Sequence, residues 1–210
     1  MRQPSSVNTL EDLGREQLSK SFFMRDFLHS EIAEIERLPN IPRDPDLALE
    51  VGRRLCVEVL EPIEARFGRV SIRSAYRSLE VNSKGAENHN QYRCARNEAN
   101  FAGHIWDEKD ARGLKGATAC IVAAGFLPYF KRTGDWEALA WWIHDNVPAY
   151  SEMQFFPRNV PVAFNISWHE APAKTIHAWA PHQRCLTKPG MQGHEARHEE
   201  AYRSLLGAEA

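Results

Sequence analysis

Long apolar runs are missing from this sequence. Nowhere do about 18 apolar residues stand together, as a membrane-spanning helix requires. The opening residues MRQPSSVNTLEDLGREQ lack the apolar stretch of a secretory leader. A cytoplasmic protein with no membrane partner is the expectation. Charge of one sign is missing too: 26 Lys and Arg face 28 Asp and Glu, for a net charge of -2. The bases are scattered among the acids, which disfavours nucleic acid as a partner. Cysteine is sparse, and Cys56, Cys94, Cys120 and Cys185 are irregularly spaced with no CxxC pair. That spacing suits neither a disulfide framework nor a zinc ribbon, and a reducing compartment is the simpler reading. Internal repeats and low-complexity tracts are absent as well.

What is present is ordinary globular usage, 43% apolar and 26% charged over 210 residues. A chain of this length fills one core, so a single domain over 1–210 is expected, with 1–15 loose and 192–210 forming a peripheral C-terminal helix. Between Glu11 and Ile35 the apolar residues suggest a loop and then a helix opened by Ser21, and the prolines from Leu38 to Pro45 mark a turn. Asp46 is placed to cap a helix whose apolar positions Leu47, Val51, Leu55, Val59, Leu60 and Ile63 keep the 3.6-residue period to Gly68. Cys56 lies on that apolar face as a small core residue. Strands are expected at Val70 to Ser74, Ala117 to Ala123, Glu152 to Phe156 and Phe164 to Trp168, with a helix from Trp136 to Asn146. The polar stretch Ser83 to Asn100 reads as a long loop, a type that is commonly functional. After Pro172 the pattern decays until Glu195 to Leu206, a terminal helix.

Three segments carry a resemblance. SFFMRDFLHSEIA (Ser21 to Ala33), PNIP (Pro39 to Pro42) and VLEPIEARFGRVSIRSAYRSLEVN (Val59 to Asn82) follow, in order and spacing, the zinc D-Ala-D-Ala carboxypeptidases. KGATACIV (Lys115 to Val122) and ISWHE (Ile166 to Glu170) resemble two later strands of that family. The resemblance implies an α+β fold, a small antiparallel sheet with flanking helices of the hedgehog/DD-peptidase type. It also implies a zinc-dependent peptidase or amidase acting on peptide or peptidoglycan-type substrates. In such enzymes zinc keeps three protein ligands and an open position, where it lowers the pKa of bound water to about 7.

Carried over residue by residue, the resemblance maps the last metal-binding His onto His169 and the family's Asp onto Cys120, whose thiolate is a legitimate zinc ligand. Cys120 fits equally as a small buried residue of an apolar strand. The first His maps onto His104 only if about nine residues are inserted before the strand. Asp107 and Asp110, in the same loop, stand as alternatives to Cys120 or as hydrogen-bond partners of His104. Arg77 maps onto the family's substrate-facing Arg, where a guanidinium holds a carboxylate or oxyanion; a structural ion pair is the plainer alternative.

The general base is where the pattern breaks. Many relatives carry a carboxylate three residues before the last His, and that position is Ile166 here. Asp107 and Glu152 are the remaining candidates for the base. Two readings follow: a zinc metallopeptidase with His104, Cys120 and His169 on the metal and Arg77, Asp107 and Glu152 catalytic, or a non-catalytic domain of the same type whose metal is structural or lost. His144, beside two tryptophans, reads as a packing or capping residue, and His177, His182, His194 and His198 as solvated surface.

Overall fold

Apolar and polar residues alternate along each long strand, so each strand can bury only one face. In the computed structural model, which describes residues 1–87, 92–156, 162–179 and 183–207, those faces line up in one sheet. Its strands are β1 (Val70–Ser74), β2 (Gly116–Ala123), β3 (Tyr150–Phe156), β4 (Ala163–His169), β5 (Thr175–Ala178) and β6 (Arg184–Thr187). They lie in the order β1-β2-β4-β3-β5-β6. Ala117, Ala119, Ile121, Met153, Phe155, Phe164, Ile166 and Trp168 are buried on one face. Thr118, Cys120, Gln154, Asn165, Ser167 and His169 stand half-buried on the other.

The expected antiparallel sheet is in fact mixed, because β3 and β5 run parallel. The cause is topological. β2 already occupies the outer edge of β4, so the chain reversing after His169 can add its next strand only beside β3. The strands β5 and β6 were not foreseen in the decaying pattern after Pro172, although Thr175 to Ala178 does alternate half-buried and buried positions. Residues 88–91 of the expected loop and His182 lie outside the described residues.

Helices cover the apolar face. The expected long helix is α4 (Pro45–Leu55), a π-helical stretch (Cys56–Leu60) and α5 (Glu61–Phe67). Its interruption sits just ahead of Pro62, whose ring clashes with the carbonyl four residues earlier in a regular α-helix. Asp44, and not Asp46, is the cap: its side chain accepts from the Leu47 N–H at 3.0 Å. Pro45 takes the first helical position, where a missing N–H costs nothing, and moves Asp46 into the first turn. The helices α7 (Leu127–Thr133) and α8 (Glu137–Asn146) follow β2. From α8, Trp142 meets Phe67 edge-on at 4.8 Å between ring centroids. Among the described residues no helix is long and apolar enough to cross a membrane.

The leading segment, expected to be loose, carries α1 (Val7–Arg15), opened by a reciprocal capping pair between Ser6 and Thr9. Leu13 reaches the core from it. Short helices α2 (Arg25–Leu28), α3 (Glu31–Glu36) and α6 (Leu79–Gly85) flank the exit of β1. The terminal helix α9 (Glu199–Leu206) packs Tyr202 and Leu205 inward against α8.

Candidate functional site

The half-buried face of the sheet is ruled by its register. Across β2 and β4, Gly116 pairs with His169, Thr118 with Ser167 and Cys120 with Asn165. Same-face residues therefore form rows, and the Cys120 row lies four residues from the His169 row. At about 3.3 Å per residue that is roughly 13 Å along the strands. Zinc bonds of about 2.0–2.3 Å cannot bridge such a gap. His169 is committed elsewhere: its Nδ1 accepts from the Ala171 N–H at 3.0 Å, and its Nε2 faces Asp110 Oδ2 at 3.4 Å. His104, Cys120 and His169 therefore do not fit one metal ion.

His104 is placed by a loop that takes over from β1. After the irregularity between Ile72 and Ser74, β1 leaves the edge of β2, and the Thr118 N–H donates to Gly103 O at 2.9 Å instead. Gly116 makes this approach possible, since a Cβ there would lie 2.2 Å from Ala102 O and 2.8 Å from His169 Cδ2. Trp106, fully buried, anchors the loop by donating from its indole to Thr118 O at 3.1 Å. His104 Nδ1 faces Ala75 O at 2.7 Å. Facing a carbonyl, that nitrogen must carry the proton, which leaves the lone pair on Nε2. Burial holds the imidazole well below its ordinary range, and the nearby Arg77 charge pushes the same way.

Arg77 shares this corner. Its N–H donates to His104 O at 2.8 Å, and its guanidinium donates to Cys94 Sγ at 2.6 Å. The residue is 8% exposed, and its Nε has no hydrogen-bond partner among the described residues. Burial pulls the guanidinium below its ordinary value, and the thiols of Cys94 and Cys120 are the groups that oppose this. A buried guanidinium normally meets a carboxylate or phosphate; here its hydrogen-bond acceptor is the Cys94 thiol. Burial also raises the Cys120 thiol to about 11, against the pull of Arg73 and Arg77.

The other expected participants point away from this corner. Asp107 accepts at Oδ2 from the Arg43 N–H at 2.7 Å and the Tyr76 hydroxyl at 3.3 Å. It thereby fastens the loop to the start of α4. Its burial raises its pKa despite those bonds. Asp110 accepts from the Leu114 N–H at 2.8 Å and from Arg112, and these bonds hold its carboxylate below the usual range. Glu152 accepts from Gln154 Nε2 at 2.8 Å on the same face of β3. It sits opposite Ser167, whose hydroxyl accepts from the Glu152 N–H at 3.0 Å, in the row between Cys120 and His169.

A second cluster lies where α8 meets the C-terminal segment. One ligand atom from each of His144, Asp145 and His198 falls within 4.8 Å of the others, close enough that the group could hold a metal ion. Among the described residues it is the one such group of three or more. His194, expected on solvated surface, is buried, because its ring packs 5.1 Å from His144 and its Nδ1 meets the Thr187 hydroxyl at 2.9 Å. The sequence hid this cluster because its members are some 50 residues apart; the consecutive His144 and Asp145 near the end of an apolar helix were the one available signal.

No protein-family description, curated protein or solved structure matches the chain.

Proposed function

We propose that this chain is a binding domain of the hedgehog/DD-peptidase type, in which Arg77 takes the carboxylate of a peptide or D-amino-acid ligand of the cell-wall kind. One observation carries the reading: a guanidinium that is 8% exposed, whose Nε has no partner among the described residues and whose one hydrogen-bond acceptor there is the Cys94 thiol. A carboxylate supplies both the missing acceptor and the missing negative charge. Cys120, Asn165 and Gln154 form one row across β2, β4 and β3 and offer polar contacts to the rest of such a ligand. Zinc enters this reading only as a stabilising ion at another place, taken up below.

A zinc peptidase or amidase of the same family is the second reading, favoured by the lone-pair nitrogen of His104 beside Arg77. Titration calorimetry with an acylated D-Ala-D-Ala peptide and with its C-terminal amide separates the two, together with an assay for released D-alanine with zinc added. The binding-domain reading predicts that the free acid binds at least about tenfold more tightly than the amide, an advantage absent in Arg77→Met, with no release of D-alanine. Equal binding of acid and amide would refute the role of Arg77. Zinc-dependent release abolished by His104→Asn would establish the peptidase instead.

A further inference from the structure

Apart from the Arg77 corner, the geometry points to a closed site for one divalent, zinc-like ion, built from His144, Asp145 and His198 and tying the C-terminal segment to α8. All three are sheltered: His144 is 3% exposed, and the Asp145 and His198 side chains are 1% and 16% exposed. His144 Nε2 faces His194 O at 2.8 Å, and its Nδ1 meets the Tyr150 hydroxyl at 2.5 Å. His198 Nδ1 faces Asp145 Oδ1 at 3.1 Å. In the His144 Nε2–His194 O and His198 Nδ1–Asp145 pairs a ring N–H is held against an oxygen, while the Tyr150 hydroxyl donates to His144 Nδ1. One ligand atom of each of the three residues lies within 4.8 Å of the others.

A metal ion replaces those two protons with little rearrangement. Moving the His144 proton from Nε2 to Nδ1 turns the Tyr150 oxygen into its acceptor and frees Nε2 as a ligand. His198 makes the equivalent change, its proton moving to Nε2. Asp145 keeps its place throughout, because Oδ2 accepts from the His198 N–H at 2.6 Å and from the Tyr202 hydroxyl at 3.1 Å. Trp141 stacks on the His198 ring at 3.8 Å and fixes its plane. Ligand atoms now within 4.8 Å need only draw in to about 3.4 Å apart to accept bonds of about 2.0–2.2 Å. The His194 carbonyl is at hand as a fourth donor, which closes the site to water and makes the ion structural. Two imidazoles and a carboxylate suit zinc and its neighbours; magnesium and calcium, which take oxygen ligands, do not fit.

The test uses the full chain without a purification tag. Metal content is measured after dialysis against zinc, and thermal unfolding is followed with zinc, magnesium or a chelator, for wild type, Asp145→Asn, His198→Ala and the control Cys120→Ser. We expect about one zinc per chain in wild type and Cys120→Ser. Zinc at 100 times its Kd should shift the unfolding equilibrium about a hundredfold, while magnesium should produce no shift. Asp145→Asn and His198→Ala should lose both effects. Limited proteolysis of wild type covers the case in which those variants fail to fold: zinc should protect residues 192–207 from cleavage. Failure of wild type to retain zinc, equal uptake by a folded His198→Ala, non-stoichiometric uptake typical of adventitious surface binding, or unchanged cleavage of that segment would each overturn the site.

Discussion

Arg77 shows how far a single residue can be read from sequence. The resemblance carried by SAYRS maps it onto a substrate-facing Arg, with a structural ion pair as the alternative, but only the fold shows that its guanidinium donates to the Cys94 thiol. Cys94 lies 17 positions away, in a stretch with no periodic signal. Removing a buried charge that has no carboxylate partner also removes its desolvation cost. Arg77→Met should therefore keep or raise the urea midpoint while removing carboxylate binding; a large loss of stability would make Arg77 a structural residue. Gly116 is a second residue-scale case. The glycine in KGATACIV was legible, its reason was not: an added Cβ would collide with Ala102 O, a backbone atom that cannot swing aside. Gly116→Ala should cost about 1–3 kcal/mol in chemical denaturation and should also disturb His169, whose Cδ2 is the next nearest atom.

Elements with a strong period were legible and their ends were not. The face of α4 and α5 follows the expected apolar positions, with Leu55, Val59, Leu60 and Ile63 all fully buried. The cap was misassigned by two residues because Pro45 sits between two aspartates, and periodicity cannot tell a cap from a first-turn acid. Asp44→Ala should cost about 1 kcal/mol, and Asp46→Ala much less; equal losses in thermal unfolding would contradict the cap seen here. The short strands β5 and β6 went unseen for another reason. Each spans four residues, too few for alternation to stand out from turn residues, and what fixes them is the free edge of β3. The candidate ligands His104, Cys120 and His169 were each placed in plausible elements, yet ladder register decides which side chains share a row, and one sequence does not contain it.

At the scale of the whole molecule, buried titratable groups couple folding to pH. His104 is neutral when folded, its pKa held well below the ordinary 6.5 by burial. When unfolded it binds a proton below that value. Its contribution to stability is therefore complete above about pH 6.5 and is lost as the pH falls, by at most about 1.4 kcal/mol per pH unit. Asp107, raised by burial above 3.8, acts in the opposite sense: its contribution is complete below the unfolded value and is lost as pH rises through the folded one. His104→Asn, which retains a donor for Ala75 O but cannot titrate, should flatten the fall in stability between pH 6.5 and 5 by about one proton's slope. An unchanged slope would show that His104 is accessible to protons in the folded chain.

The Arg77 guanidinium donates to Cys94 and the ladder register holds Cys120 and His169 four residues apart, an arrangement without a thiolate metal site that cobalt substitution tests most directly. Cobalt(II) bound by cysteine shows an intense thiolate-to-metal charge-transfer band in the near ultraviolet, and cobalt bound by nitrogen and oxygen does not. The protein loaded with about one equivalent of cobalt(II) should lack that band, and its weaker visible absorption should disappear in His198→Ala. A strong thiolate band that vanishes in Cys120→Ser would contradict the arrangement of the face described above and return the zinc-peptidase ligand set to first place.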